Sequence, residues 1–94
     1  MIKHIVLFKF TDISDTFIEN VIIKLENLKN EIPEIQSIEA VQNENAEEKF
    51  HLGLTVTVKD FDALGRYANH PKHLEVAKII RENLADRACV DYYI

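Results

Sequence analysis

The sequence predicts an α+β fold of the ferredoxin-like type, with elements in the order β-α-β-β-α-β. Three observations lead to this prediction: an apolar opening segment, apolar residues at helical spacing in two regions, and a strictly alternating segment between those regions. The chain of 94 residues has room for one hydrophobic core, so we assign residues 1–94 to a single domain. Hydrophobic residues make up 47% of the chain, which is typical of a globular protein and not of a disordered one.

The first two predicted elements are a strand and a long helix. Residues 2–10 are rich in β-branched and aromatic side chains and are apolar on both alternating faces, which is typical of a strand covered on both sides. Asp12, Ser14 and Asp15 then offer turn and N-cap side chains, and Pro33 disfavours helix at the residue before it, so we predict a helix over residues 14–32. The apolar stripe of this helix consists of Phe17, Val21, Leu25, Leu28 and Ile32.

The next two predicted elements are strands separated by an exposed polar loop. Residues 35–43 alternate weakly between apolar and polar side chains, which favours a strand. Residues 50–58 alternate strictly and give the clearest strand in the chain. Its apolar face consists of Phe50, Leu52, Leu54, Val56 and Val58. Its opposite face consists of His51, Gly53, Thr55 and Thr57.

The last two predicted elements are a helix interrupted by proline and a final strand. Asp60 or Asp62 can cap the helix, and Pro71 predicts a break after His70 because the residue before a proline avoids helical geometry. Pro71 also suits the first position of a renewed helix. The apolar positions of that renewed helix are Leu74, Ala77, Ile80 and Leu84. The final strand is indicated by alternating Ala88, Val90, Tyr92 and Ile94.

Both helices of this fold lie on one face of the sheet, so the other face is left uncovered. The first strand is apolar on both sides and the last strand has an unbroken apolar face, which disfavours exposure of the uncovered side to water. We therefore predict a homodimer in which two sheets pack face to face, since a two-fold assembly buries the same patch of both chains.

Charge and cysteine content exclude several classes of function. The net charge of −5 and the absence of a basic run argue against nucleic-acid binding. The single cysteine, Cys89, cannot form an internal disulfide, which fits the reducing cytoplasm, and one cysteine argues against a cysteine-based zinc site. We interpret it as a small buried apolar residue. The opening apolar segment is too short for a signal peptide or a membrane span, so no membrane partner is predicted.

Three segments together resemble a known family. They are IKHIVLFKF at residues 2–10, YANHPKH at residues 67–73 and DRACVDY at residues 86–92. Over essentially its whole length the chain resembles the stress-responsive dimeric α/β-barrel (Dabb) family, and the His-Pro-x-His element is the most specific part of the resemblance. The resemblance implies a ferredoxin-like protomer and a homodimer whose two sheets form a dimeric α+β barrel.

The resemblance also implies a candidate active site that needs no cofactor. A plant branch of the family cyclises linear polyketides by aldol condensation with a Tyr and a His that match Tyr67 and His73, and a first-strand His matches His4. An imidazole with a pKa of about 6.5 can accept a proton near cellular pH, and a phenol can donate a hydrogen bond to an enolate oxygen. We therefore predict His73 as general base, Tyr67 as hydrogen-bond donor and His4 at the pocket edge.

The predicted pocket lies between the helices and the sheet and binds a small hydrophobic carbonyl compound. Its predicted substrate-binding residues, besides His4, are Val6, Phe8, Ile38, Leu54 and Val56. We predict no metal, because His70 and His73 have no third ligand at a recognisable spacing. Either an N-cap or a hydrogen bond that bridges the proline break explains His70, and we assign no chemistry to His51.

Other functions are compatible with the same order of elements, because a fold does not fix a function. The same pocket suits a non-catalytic ligand-binding protein in the stress response, and a purely structural dimerisation module needs no pocket. Amino-acid-binding regulatory domains and cofactor-free monooxygenases share the element order and stay open.

Overall fold

Four strands form one antiparallel sheet in the computed structural model, which describes residues 1–94. The strands are β1 (Ile2–Phe10), β2 (Ser37–Gln42), β3 (Leu52–Val58) and β4 (Leu84–Tyr93). The helices are α1 (Asp15–Glu31), α2 (Phe61–Asn69) and α3 (Pro71–Glu82). The predicted ferredoxin-like α+β fold is thus confirmed, with the interrupted second helix present as two consecutive helices.

The strand order β2-β3-β1-β4 places the first strand in the interior of the sheet. β1 pairs with β3 on one side and with β4 on the other, both antiparallel. His4, for example, lies opposite Val56 of β3 and Asp91 of β4. Both edges of β1 are therefore paired, and this strand has no free backbone edge.

The two faces of the sheet differ in what covers them. On the helix side, Val6 of β1 and Leu54 of β3 are buried in the single core that the helices complete. On the opposite side no element covers the sheet, and several large apolar side chains are exposed there. These side chains are Leu7, Val41, Val90 and Tyr92. We refer to this side as the open face.

Side-chain caps set the start of each helix. The Ser14 hydroxyl accepts a hydrogen bond from the Phe17 amide, and the Asp60 carboxylate accepts one from the Ala63 amide. His70 has an extended backbone, and its Nδ1 accepts a hydrogen bond from the Lys72 amide at 3.1 Å. Of the two structural roles predicted for His70, the structure therefore shows the N-cap. None of the helices is both long and apolar enough to cross a membrane.

Several predicted positions differ from the structure. Leu84 is the first residue of β4 and not part of α3, because Asn83 ends the helix by donating its side-chain amide to the Ile79 carbonyl. The Asn83 carbonyl accepts a hydrogen bond from the Thr11 amide, which holds the chain against the end of β1. Leu74 is exposed, since α3 turns Val76 and Ile80 toward the core instead.

The start of β3 and the environment of Cys89 also differ from the prediction. Phe50 and His51 precede the strand, and His51 Nδ1 accepts a hydrogen bond from the Phe10 amide at 3.0 Å. Cys89 is exposed and not buried. The reason is that β4 is an edge strand whose main packing partner is β1, whereas α1 and α2 pack over β2 and β3.

Candidate functional site

A cavity of about 270 Å³ lies between α3 and the β1–β4 side of the sheet. Its volume is close to the lower end of the range of roughly 300–1,000 Å³ that is typical of small-molecule pockets. Most of its lining is apolar. The lining residues are His4, Val6, Phe8, Leu25, Leu54, Tyr67, His73, Val76, Ala77, Ile80, Arg81, Leu84 and Arg87.

Most of the predicted site residues lie together in this cavity. Both members of the predicted catalytic pair, Tyr67 and His73, line it. So do four of the predicted binding residues: His4, Val6, Phe8 and Leu54. The strand residues share one face because side chains alternate along β1 and β3, and pairing sets Val6 opposite Leu54.

Two predicted binding residues, Ile38 and Val56, do not line the cavity. They lie opposite each other in β2 and β3, on the side of the sheet over which α1 packs. Val56 is 0% exposed and belongs to the core, and Ile38 is a half-buried residue packed against that core. The structure thus places these two residues in core packing, outside the cavity lining.

Tyr67 brings a buried hydroxyl to the cavity. The residue lies in α2 and is 1% exposed, and its Oη atom has no hydrogen-bond partner in the protein. Burial raises the pKa of the phenol well above its ordinary value, with a smaller opposing effect from the positive charge of Arg87. The side chain is therefore a neutral phenol that can donate its proton in a hydrogen bond. Leaving a buried hydroxyl unpaired costs about 1–3 kcal/mol, so this group has a strong preference for a partner.

His73 provides the nearest titratable group. Its Nδ1 atom lies 2.8 Å from the carbonyl oxygen of Ala68, which can only accept, so Nδ1 donates and Nε2 is the nitrogen with a free lone pair. Burial is the main effect on the imidazole and lowers its pKa below 6.5. The hydrogen bond to Ala68 raises the pKa, and the charges of neighbouring groups lower it further. His73 is therefore a neutral base at cellular pH.

His4 joins the cavity to the edge of the sheet. Its Nδ1 atom donates a hydrogen bond to the carboxylate of Asp91, at 2.5 Å from Oδ1, and the two residues are direct partners across β1 and β4. Its ring meets the Tyr67 ring edge-on, with 6.1 Å between the ring centroids. The aspartate thus fixes the orientation of an imidazole that lines the cavity.

Sequence reasoning missed two arginines in the lining, Arg81 and Arg87. Arg81 lies four residues after Ala77 and so continues the helical stripe that faces the sheet. Arg87 lies opposite Phe8, on the same face of β4 as Cys89 and Asp91. The odd-numbered positions of β4 alternate with the apolar even-numbered ones and so could have identified this polar face. The apolar residues of β4, however, point to the open face.

The chain matches one known protein family. The model described as the stress responsive A/B barrel domain matches residues 2–94. No curated protein sequence matches the chain.

Solved structures share the fold over nearly the whole chain. A dimeric ferredoxin-like protein of unknown function from Bacteroides fragilis is 34% identical, with a TM-score of 0.84 over 99% of this chain and 95% of that one. A dimeric ferredoxin-like protein from Thermobifida fusca is 28% identical, with a TM-score of 0.88 over 99% and 90%. A hydroxynitrile lyase from Passiflora edulis is 20% identical, with a TM-score of 0.86 over 99% and 92%, and is similar in fold alone.

Proposed function

Because the chain belongs to the stress responsive A/B barrel domain family, we propose that it is a homodimer that binds a small hydrophobic carbonyl compound and transfers a proton on it without a cofactor. The observation that carries this proposal is the buried Tyr67 hydroxyl. It has no partner in the protein and lines the same cavity as the neutral imidazole of His73. A carbonyl oxygen of a ligand would satisfy this hydroxyl.

The proposed step is the formation of an enolate. His73 Nε2 takes a proton from the carbon next to the substrate carbonyl, and the electron pair of the broken C–H bond moves to the carbonyl oxygen. Tyr67 donates a hydrogen bond to that oxygen and stabilises its negative charge. The enolate then attacks a second carbonyl of the same molecule or expels a leaving group, and His73 returns the proton to the product. Intramolecular aldol cyclisation and lyase reactions of the elimination type both follow this scheme.

The rest of the lining supports a substrate with an apolar body and a negative charge. Val6, Phe8 and Leu54 offer an apolar wall on the sheet side. Arg81 and Arg87 bring positive charge to the cavity, which favours an enolate or a substrate carboxylate. The hydroxynitrile lyase from Passiflora edulis is an example of a lyase on this fold.

The homodimer uses the open face in this proposal. Exposed apolar side chains on β1, β2 and β4 give a surface that a second sheet can cover. Leu7 lies on the interior strand β1, near the middle of this surface. The structures from Bacteroides fragilis and Thermobifida fusca are both described as dimeric. The cavity is on the opposite side of the sheet, so the dimer leaves it accessible.

The exposed free thiol of Cys89 supports a reducing compartment such as the cytoplasm.

The test is a binding and turnover screen with small aromatic diketones and their carboxylated analogues. Binding of each compound to the protein is measured by NMR titration to saturation, and new products are detected by mass spectrometry. We expect the wild-type chain to bind and convert at least one compound, Tyr67→Phe to bind it more weakly, and His73→Asn to bind it without conversion. Asparagine places an amide donor where Nδ1 was, so it preserves the hydrogen bond to Ala68 and removes only Nε2.

His70→Asn is the matched control, because it changes a histidine at the same helix start that is not part of the cavity lining. It should convert substrate like the wild type. Conversion that survives in His73→Asn would show that His73 is not the base. Saturable binding with no product in any chain would support the non-catalytic ligand-binding alternative.

A further inference from the structure

Three side chains of the types that can bind a metal ion lie together at the edge of the sheet, next to the cavity. They are His4, Cys89 and Asp91, whose donor atoms all lie within 4.8 Å of one another. We propose that these side chains form a binding site for a divalent transition metal of the zinc type. This proposal is independent of the proposed proton-transfer reaction, since neither Tyr67 nor His73 belongs to the metal site.

Strand pairing brings the three donors together. Asp91 is the direct partner of His4 across β1 and β4, and Cys89 is two residues earlier on the same strand. Residues two apart in a strand project from the same face, so Cys89 and Asp91 both flank the imidazole. This face is the helix side of the sheet, which the proposed dimer does not cover.

The distances between the donors suit tetrahedral coordination. Cys89 Sγ lies 3.6 Å from His4 Nδ1 and 3.8 and 3.9 Å from the two carboxylate oxygens of Asp91. With bonds of about 2.3 Å to sulfur and about 2.0 Å to nitrogen or oxygen, a tetrahedral zinc ion holds these donor pairs about 3.5 Å apart. Only the pair His4 Nδ1 and Asp91 Oδ1, at 2.5 Å, must separate, because there the metal replaces the shared proton.

The chemistry of the donors favours a metal over a nucleophilic thiol. Cys89 and Asp91 approach the same nitrogen of His4, so the aspartate cannot orient the imidazole as a base toward the thiol. A zinc ion would stabilise the thiolate, and binding would release protons. Thiolate, imidazole and carboxylate are all ordinary zinc ligands.

Three protein ligands leave the fourth position of a tetrahedral site open. Asp91 and Cys89 are exposed, so water or a small ligand can occupy that position. His4 also lines the cavity, and a metal on its Nδ1 would fix the ring in its present orientation. Metal binding and cavity binding would therefore share one side chain.

The experiment uses the reduced, tag-free full chain and two probes, zinc alone and cobalt(II) alone. Zinc affinity and stoichiometry are measured by competition with a chromophoric chelator, and cobalt is followed by absorption. We expect one metal per chain, a thiolate-to-cobalt charge-transfer band in the near ultraviolet and the visible bands of tetrahedral cobalt. Residues that only hydrogen-bond a metal ligand already contribute on the order of 10–100-fold to metal affinity. Loss of a ligand itself, in Cys89→Ser or Asp91→Asn, should therefore weaken zinc binding by at least roughly tenfold.

The matched control is Asp86→Asn, which removes a carboxylate from the same strand but on the open face, opposite Lys9. It should bind both metals like the wild type. The proposal is overturned if the wild-type chain binds no zinc, or if Cys89→Ser and Asp91→Asn both retain wild-type affinity. A cobalt complex without the thiolate band would equally overturn it, since Cys89 would then not be a ligand. All three positions are at least partly exposed, and circular dichroism checks that each variant is folded.

Discussion

The rings of Tyr67 and His73 lie with their centroids 4.6 Å apart and their planes tilted by 55°, although a proline break separates the helices that carry them. The hydrogen bond from His73 Nδ1 to the Ala68 carbonyl spans this break and holds the two helix ends together. The break thus serves to bring the last turn of α2 and the first turn of α3 into one cavity wall. The consequences of this arrangement can be measured.

Tyr67→Phe should leave the chain as stable as the wild type or make it more stable, by up to about 1 kcal/mol. The substitution keeps the buried ring and removes a hydroxyl that has no partner, and such a buried group costs about 1–3 kcal/mol. Urea unfolding at matched protein concentration measures the change. A loss of more than about 1 kcal/mol would mean that the hydroxyl has a structural partner in solution.

The stability of the chain should fall at acid pH through His73. Its pKa is lowered in the folded state, mainly by burial, so near pH 6 the unfolded chain binds more protons than the folded chain. The contribution of His73 is therefore complete above its ordinary pKa of 6.5 and is lost as the pH falls below that value toward the lowered pKa. Unfolding free energies of the wild type and His73→Asn, measured from about pH 5 to about pH 8, should converge toward acid pH. Parallel curves would contradict the lowered pKa.

His70→Ala should destabilise the chain by about 1 kcal/mol, because it removes the acceptor for the Lys72 amide at the start of α3. His70→Asn should retain most of the stability, since asparagine is among the best N-cap residues. The two variants are compared by thermal unfolding at equal concentration. Equal destabilisation by both would show that the imidazole ring has a role beyond the cap.

Val90→Asp should convert the proposed dimer into monomer. Val90 is 53% exposed on the open face, and burying a carboxylate between two apolar sheets is strongly unfavourable. Ile23→Asp is the control, because Ile23 is 64% exposed on α1, away from that face. Sedimentation velocity gives the oligomeric state of each. A dimer that persists in Val90→Asp would place the interface elsewhere.

Local patterns in the sequence predict most of the fold. The alternation over residues 50–58 identifies the buried face of β3, and Pro33 and Pro71 mark where helices stop or restart. The end of α3 is missed because the apolar Leu84 continues the helical spacing. The local hydrogen bond from the Asn83 side chain to the Ile79 carbonyl ends the helix, and the Thr11 amide, far away in sequence, then holds the Asn83 carbonyl.

The site is predicted less completely because it depends on strand pairing. Tyr67 and His73 belong to one local motif, and the resemblance to a family identifies them. Arg87, Cys89 and Asp91 enter the site only because β4 pairs with β1, which joins these residues to partners 79 to 87 positions away. The exposure of Cys89 likewise follows from the position of β4 at the edge of the sheet and not from its neighbours in sequence.

The interior position of β1 also determines when the chain can fold during synthesis. β1 precedes both of its partners in the chain, β3 at residues 52–58 and β4 at residues 84–93, so during synthesis this apolar strand has no partner before β3 is made and no second partner before β4 is made. Such a segment is prone to aggregate, and nearby charges act as gatekeepers against this. Lys3 and Lys9 lie on the open face of β1, one on each side of Ile5 and Leu7, so the newly made strand carries two charges that oppose its aggregation and lie outside the core.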